Sequence, residues 1–247
     1  MRVFICGRLS IENEPIVVPE AAFPGRLGRR LWTYLVLHRR RPVGRSEVIE
    51  ALWGEGSPET ADSSLNALIS RVRGALAPVG HPRAELRTAS GSYTLALASD
   101  VFVVRERAWT AIHHVQAVRR NGQVRGAWAE AVIANEIAAR GFLPGEDAPW
   151  IEAERRTLRD IEMQALEAIC DAELEQGRAA DAERVARRLI GIDPLRESGY
   201  RGLMRALAAA GNAAQSASVM LECRAALATV SARPSEVTEK LYRELVH

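Results

Sequence analysis

The stretch SSLNALISRVRGAL, residues 63–76, has apolar residues at regular spacing. Apart from two arginines, its remaining positions carry small or uncharged side chains. At 100° per residue its large apolar residues gather on one side of a helix, and these are Leu65, Leu68, Ile69, Val72 and Leu76. The other side is Ser63, Ser64, Ala67, Ser70, Arg71 and Gly74, flanked by Asn66 and Arg73. An ordinary exposed helix carries Glu and Lys there. The pattern predicts a helix whose outer side contacts another surface.

Two more helices and a small sheet are predicted before this stretch. The first helix runs from Arg26 to Arg39, and Pro42 forbids its continuation. The second lies in RSEVIEALWG, residues 45–54, and the helix of residues 63–76 begins between Ser57 and Asp62. Upstream, VFICGRLSIE (residues 3–12) and PIVVPE (residues 15–20) predict an antiparallel sheet.

A β-hairpin is predicted after the third helix. The segment AELRTASGSYTLALAS, residues 84–99, reads as two short strands around the turn residues Ala89-Ser90-Gly91-Ser92. Three helices followed by a hairpin are typical of a winged helix-turn-helix. Residues 1–98 are therefore assigned to a winged-helix DNA-binding domain.

The remaining sequence, residues 99–247, is rich in alanine and is predicted to be helical, with almost no strand pattern. Gly177 and Gly211 each end one helix and lie 34 residues apart, which is the period of tetratricopeptide helix pairs, and Gly122 begins a similar segment. Five positions after these glycines stand small residues, Ala127, Ala182 and Ser216. The expected fold class is mainly α with a small β component: an N-terminal winged helix followed by an all-α tetratricopeptide-like repeat domain.

Positive charge is concentrated at the start of the chain. The net charge is +2, but residues 1–95 hold 13 arginines and 9 acidic residues, a surplus of four positive charges. Lys240 is the only lysine, so nearly every cation is a guanidinium, the group that binds phosphate and guanine with two hydrogen bonds. Coding bias would produce the same composition.

The third helix has the composition of a helix that reads DNA. Small side chains let a backbone approach base edges, and a few long donors then contact the bases. Arg71 and Arg73 are suited to guanine or phosphate, and Asn66 to adenine. The recognition helix is assigned Ser63, Ser64, Asn66, Ala67, Ser70, Arg71 and Arg73. The alternative is a helix packed against another domain, where small residues permit close approach.

Several other residues are expected to anchor phosphates, which give register and affinity without sequence information. Basic residues at helix starts and in the hairpin are Arg26, Arg29, Arg30, Arg45 and Arg87, and Arg39 to Arg41 follow the first helix. In the hairpin, Ser90 and the backbone of Gly91 are expected to contribute.

Other classes of function find little support. His113 and His114 are adjacent on a predicted helix and so do not share the face that a metal site needs, and no nucleotide-binding or hydrolase motif occurs. Cys6, Cys170 and Cys223 have no metal or disulfide spacing and are expected to be reduced core residues. We expect a cytoplasmic protein that is not an enzyme, with no cofactor, no metal, no signal peptide and no membrane association.

The order of these features resembles the Streptomyces antibiotic regulatory proteins, which join an OmpR-type winged helix to a bacterial transcriptional activator domain. The resemblance covers essentially the whole chain. In the first part it is carried by residues 3–12, GRRLWTYLVLH (28–38), EVIEALWGEGSPETA (47–61), LNALISRVRGAL (65–76) and GSYTLAL (91–97). In the second part it is carried by FLPGEDAPWIEAERRTL (142–158), residues 173–197 and residues 200–227.

The resemblance implies an activator that binds direct repeats of promoter DNA as a homodimer. It also implies contact with RNA polymerase holoenzyme, through the sigma factor and other subunits, at a biosynthetic gene cluster for a secondary metabolite. It places recognition on Asn66, Ser70, Arg71 and Arg73, and the wing on residues 91–93, including Tyr93. The chain departs from the family pattern at Gly74, where a basic residue is frequent, and in a wing with few cations. It resembles the short members, which lack nucleotide-binding and phosphopeptide-binding modules.

A tetratricopeptide-type interaction adaptor is the competing interpretation. In that case the winged helix would dock protein in place of DNA. Salt dependence separates the two, because DNA affinity falls steeply with salt concentration when several phosphates are contacted.

Overall fold

The computed structural model describes residues 1–80, 83–121 and 124–246. The chain forms two compact units. The first unit comprises Met1–Arg107 and Arg140–Thr157, and the second comprises Ala108–Ala139 and Leu158–His247. Each unit is therefore built from two separate segments of the chain.

An N-terminal sheet opens the first unit. Its strands are β1 (Arg2–Phe4), β2 (Ser10–Asn13), β3 (Ile16–Pro19) and β7 (Phe102–Val103), in the order β3-β2-β1-β7. The β1–β2 and β2–β3 pairs are antiparallel, as the sequence predicts, whereas β7 pairs with β1 in parallel. Val3, Ile11 and Val18 lie opposite one another on β1, β2 and β3 and are buried on one side of this sheet.

The winged helix follows this sheet. It consists of α1 (Gly25–Leu37), β4 (Val43–Gly44), α2 (Arg45–Trp53), α3 (Ala61–Leu76), β5 (Ala84–Ala89) and β6 (Ser92–Leu97), with sheet order β4-β6-β5. Side chains of all three helices enter the core, including Leu31, Leu52 and Leu65, each exposed by 1% or less. The predicted helices and hairpin are confirmed.

The hairpin turn explains why Ser90 and Gly91 occupy the tip. Ala89 pairs with Ser92, so two residues connect the strands, and their φ values are 48° and 73°. Positive φ at both central positions is the type I′ arrangement, whose twist matches that of the flanking strands. Glycine adopts this conformation without steric cost, which accounts for Gly91.

Residues 140–157 pack in the first unit although the sequence groups them with the helical half. The indole Nε1 of Trp150 donates to the carbonyl of Ala51 at 2.9 Å, and Gly7 N donates to Gly141 O at 2.9 Å. The compact units consequently do not divide at residue 98, since the first also includes residues 99–107 and 140–157. The division of the chain into domains of residues 1–98 and 99–247 stays a prediction.

The second unit is helical. Its elements are the later part of α4 (Val104–Arg120), α5 (Val124–Ala138), the later part of α6 (Pro149–Glu175), α7 (Ala179–Ile192), α8 (Glu197–Ala209), α9 (Ser216–Ala228) and α10 (Glu236–Val246). Gly177 and Gly211 end α6 and α8 with φ of 72° and 81°, and Ala182 and Ser216 are fully buried in the following helices. The predicted helix pairs are therefore present at both positions. Gly122, the first glycine of the pattern, lies outside the described residues.

The three cysteines are free and buried, in agreement with the sequence prediction.

In the described segments, no helix has both the length and the apolar composition required to cross a bilayer. The expected fold class, mainly α with a small β component, is confirmed.

Candidate nucleic-acid interface

The outward side of α3 is the surface on which the sequence interpretation depends. Its apolar residues Leu65, Leu68, Ile69, Val72 and Leu76 are buried, as predicted. Ser63, Asn66, Ala67, Ser70, Arg71 and Gly74 are all exposed, and Ser64 is half-buried. We call these outward residues the α3 outer face. A Cβ built on Gly74 would meet nothing within 4 Å, so this face is open at the backbone as well.

The two arginines of α3 differ in their surroundings. In the described part of the chain, Arg71 forms no hydrogen bond or ion pair, and its guanidinium extends from the exposed side of the helix. Arg73 instead donates through Nε to the Leu86 carbonyl at 2.9 Å and through Nη2 to Thr88 Oγ1 at 2.7 Å. Arg73 therefore fastens α3 to strand β5, and Arg71 keeps its donors available.

Arg45, the first residue of α2, is the centre of a polar cluster on the α3 outer face. Its Nε donates to Asp62 Oδ1 at 2.5 Å, and its Nη1 donates to Asn66 Oδ1 at 3.0 Å and to the Tyr93 hydroxyl at 2.7 Å. The Asp62 hydrogen bond raises the pKa of Arg45, which stays a cation. Arg45 is therefore partly neutralised, while the Asn66 amide is held in one orientation on the face.

The arginines of α1 surround one buried carboxylate. Arg26 Nε lies 2.6 Å from Glu146 Oε2, and Arg29 lies 3.5 Å from Glu20 and 3.9 Å from Glu146. Arg26 remains 59% exposed, so it stays a candidate for a phosphate contact, and Arg29 is half-buried.

The structure corrects the expectation for Arg30. Its side chain is 7% exposed and donates to Glu146 Oε2 at 2.5 Å, to the Leu52 carbonyl at 3.0 Å and to the Asp147 carbonyl at 2.9 Å. A buried guanidinium with these partners cannot reach a phosphate, because burial of such a charge requires that its pairing be kept. Arg30 therefore has a structural role.

The wing is exposed at its tip and buried at its base. Arg87 is 59% exposed and pairs with Glu85 at 2.8 Å, and Ser90 and Gly91 are exposed. Tyr93 was expected to contact DNA, but it is only 3% exposed and its hydroxyl accepts from Arg45. Its ring belongs to the core, so its role is corrected to supporting Arg45.

The arginines after α1 are engaged within the first unit. Arg39 pairs with Glu106, and Arg41 pairs with Glu47, which also accepts from the Tyr34 hydroxyl at 2.8 Å. The hydrogen bond from Arg41, assisted by that from Tyr34, lowers the pKa of Glu47 to about 2. Arg40 is 82% exposed with one distant carboxylate at 3.9 Å, and is the member of this group most open to an external anion.

Sequence reasoning missed the two acidic residues that control these arginines. From the sequence, Asp62 is expected only near the start of the third helix, and no role is expected for Glu146. No local pattern identifies either, because the partners lie 17 and 116 positions away. The site therefore consists of an exposed face of small side chains, Arg71 without a partner among the described residues, and further arginines that nearby carboxylates partly neutralise.

Two family models match the chain. The model described as bacterial transcriptional activator domain matches residues 102–246, and that described as transcriptional regulatory protein, C terminal, matches residues 26–92. The second match spans α1 to the start of β6, and so contains the whole α3 outer face.

Curated relatives agree with these matches. Regulatory protein AfsR of Streptomyces griseus is 30% identical over 224 residues, which is 87% of this chain and 22% of the relative. AfsR of Streptomyces coelicolor is 30% identical over 81% of this chain and 20% of its own length. The chain thus spans about a fifth of the length of these relatives.

A solved structure has the same fold. Mycobacterium tuberculosis EmbR in complex with a low-affinity phosphopeptide aligns with a TM-score of 0.86 and 22% identity, over 98% of this chain and 64% of that chain. At this identity the likeness concerns the fold alone.

Proposed function

This chain belongs to the bacterial transcriptional activator domain family and is a regulator of the Streptomyces antibiotic regulatory protein type, and from that premise we propose that it activates transcription by placing α3 in the major groove of promoter DNA. The observation that carries the proposal is the α3 outer face, exposed along its length, with Arg71 unpaired within the described residues.

The chemistry of this face suits direct readout. Serine, alanine and glycine permit close approach, and an unpaired guanidinium at Arg71 offers the two parallel N–H donors that guanine O6 and N7 accept. Asn66, held through its oxygen by Arg45, has its amide N–H groups left for acceptors such as adenine N7. Ser63, Ser64, Ala67 and Ser70 form the surface between them, and Arg73 positions the helix against the wing.

Phosphate contacts are assigned to the exposed cations around this face. Arg26 and Arg87 are each 59% exposed, and Arg45 and Arg29 are partly screened by carboxylates. The exposed tip at Ser90 and Gly91 offers backbone N–H groups, which contact phosphate without sequence preference. Such contacts supply register and salt-dependent affinity.

We assign the finer properties of the regulator type to this chain as part of the same proposal. They are binding to direct repeats as a homodimer, recruitment of RNA polymerase holoenzyme through its sigma factor and other subunits, and control of a biosynthetic gene cluster. A second bound protomer raises the effective concentration at each half-site, which offsets the modest positive charge of the wing.

Selection from randomised duplexes, followed by footprinting, tests this proposal. We expect recovered sequences with two direct repeats, a footprint covering both, and a stoichiometry of two chains per duplex. Run-off transcription from such a promoter should rise when the chain is added to polymerase holoenzyme. Recovery of no consensus at moderate salt would contradict DNA recognition and favour the adaptor interpretation, whereas a single half-site bound by one chain would contradict only the dimer.

A further inference from the structure

A cavity of about 210 Å³ lies within the second unit, between helices α4, α6, α7 and α8. Its polar lining includes Arg119 from α4, Glu167 and Asp171 from α6, and Arg201 and Arg205 from α8. Three guanidinium groups from two separate helices therefore converge on one small space. The proposed DNA interface uses none of these residues.

Two of these arginines, Arg119 and Arg205, share one carboxylate. Arg119 Nη2 donates to Asp171 Oδ2 at 2.5 Å, and Arg205 Nη1 donates to Asp171 Oδ1 at 2.7 Å. Arg201 Nη1 donates to Thr238 Oγ1 at 2.9 Å. Each guanidinium has five N–H donors, and the hydrogen bonds found in the described segments use one nitrogen of each. Most donors are therefore left for a ligand.

The charge of the lining favours an anion. Three arginines face two carboxylates, and Glu167 already accepts from Arg196, which is outside the lining, at 2.7 Å, and from the Ser198 hydroxyl at 2.5 Å. Within the lining, Asp171 pairs with Arg119 and Arg205, whereas Arg201 lies 3.9 Å from Glu197, which is outside the lining. The partial burial of these groups lowers the effective dielectric and strengthens their attraction for a bound anion.

Gly202 and Cys170, both in the lining, shape one wall of the cavity. A Cβ on Gly202 would lie 2.9 Å from Cys170 Sγ, so the absence of a side chain lets α8 approach α6 closely. That approach sets Arg205 against Asp171. Burial raises the pKa of the Cys170 thiol to about 12, so it contributes a neutral wall and no nucleophile.

We propose that this cavity binds a small phosphate-bearing metabolite, whose phosphate dianion is held by Arg119, Arg201 and Arg205. The planar fork of arginine pairs with phosphate oxygens through two parallel hydrogen bonds. The volume is below the 300 to 1,000 Å³ or so of pockets for drug-sized ligands, and accommodates a phosphate group with a few further atoms. The helical unit thereby acquires a ligand site of its own.

Calorimetric titration of the full chain with inorganic phosphate, and then with glycerol 3-phosphate, tests the proposal. We expect saturable 1:1 binding of both, and a loss of affinity of at least about 10-fold in Arg205→Gln, which removes a charge-assisted pair. Arg187→Gln removes an exposed arginine of α7 that pairs with Glu183 at 2.9 Å, outside the cavity lining. This control variant should leave the affinity unchanged.

Further arms of the experiment distinguish the alternatives. Asp171→Asn removes the internal anion that competes with the ligand, so it should tighten phosphate binding, and it serves if Arg205→Gln fails to fold by circular dichroism. Absence of saturable binding, equal affinity in Arg205→Gln, or weaker binding in Asp171→Asn would overturn the proposal. Tighter binding of succinate than of phosphate, or of a phosphoserine peptide than of glycerol 3-phosphate, would overturn the assigned ligand class.

Discussion

Arg30 and Glu146 stand 116 positions apart in the chain, yet Arg30 Nε lies 2.5 Å from Glu146 Oε2 in the interior of the first unit. Both side chains are less than 10% exposed. The pair joins α1 of the winged helix to the segment of residues 140–157, so the first unit includes a piece of chain that follows α5.

Replacement of Glu146 should strongly destabilise the first unit. Glu146→Ala leaves the buried Arg30 guanidinium without its anion, which costs about 3–5 kcal/mol of unfolding free energy. Glu12→Ala is the matched control, because Glu12 pairs with Arg2 at 2.8 Å on the surface and should cost about 1 kcal/mol or less. Urea unfolding of the two variants measures the difference, and equal costs would show that Arg30 does not depend on Glu146.

Asp62→Asn should tighten DNA binding. Asp62 is 72% exposed and neutralises Arg45 beside the α3 outer face, so its removal releases one cation toward phosphate. We expect affinity to rise roughly 3- to 10-fold at low salt, with a steeper dependence on salt by about one phosphate. Asp100→Asn gives the same change in net charge at the Arg83 pair and should have a smaller effect. An equal gain in both variants would mean that net charge alone is responsible.

The Glu47 network should make stability depend on pH in acid. The pKa of Glu47 is lowered from 4.5 to about 2 in the folded chain. The ionised carboxylate therefore contributes fully to the free energy of unfolding above about pH 5, and this contribution is lost as the pH falls from 4.5 toward 2. Glu47→Gln should remove about 1 kcal/mol at neutral pH, since the pair with Arg41 is partly exposed. The difference in unfolding free energy between wild type and Glu47→Gln, measured with denaturant, should be smaller at pH 3 than at pH 7. A difference that is the same at both pH values would contradict this.

Replacing two different glycines by alanine should change the stability of the chain in opposite directions. Gly202→Ala places a Cβ 2.9 Å from Cys170 Sγ and should cost about 1–3 kcal/mol through overpacking. Gly191 lies in α7 with nothing within 4 Å of its Cβ position, so Gly191→Ala should stabilise by up to about 1 kcal/mol through helix propensity. Thermal unfolding of both variants measures the two changes in stability, and destabilisation by Gly191→Ala would contradict the open surroundings of Gly191.

The sequence predicts the features that depend on neighbours within a few residues. The buried and exposed sides of α3 follow from helical periodicity, and the hairpin turn follows from the conformational preference of Gly91. The 34-residue spacing of Gly177 and Gly211 predicts a repeat, because both glycines follow helices in the same left-handed conformation.

The features that the sequence does not predict depend on distant partners. Arg30 has the same local surroundings as Arg26 and Arg29, and only the fold shows that Glu146 comes against it. Residues 140–157 follow a helical segment and begin a long helix, which associates them with the second half by composition, whereas Trp150 and Glu146 fix them in the first unit. The engagement of Arg45 by Asp62 depends on the angle between α2 and α3, which no local pattern encodes.

The affinity of Arg71→Ala for a selected duplex tests the central claim most directly. Fluorescence anisotropy should show binding weakened about 10- to 100-fold relative to wild type, with discrimination reduced at one base position and thermal stability unchanged. Arg184→Ala, which removes an arginine of α7 that is 76% exposed, should bind like wild type. If Arg71→Ala and Arg184→Ala bind the duplex equally well at moderate salt, the α3 outer face does not read DNA.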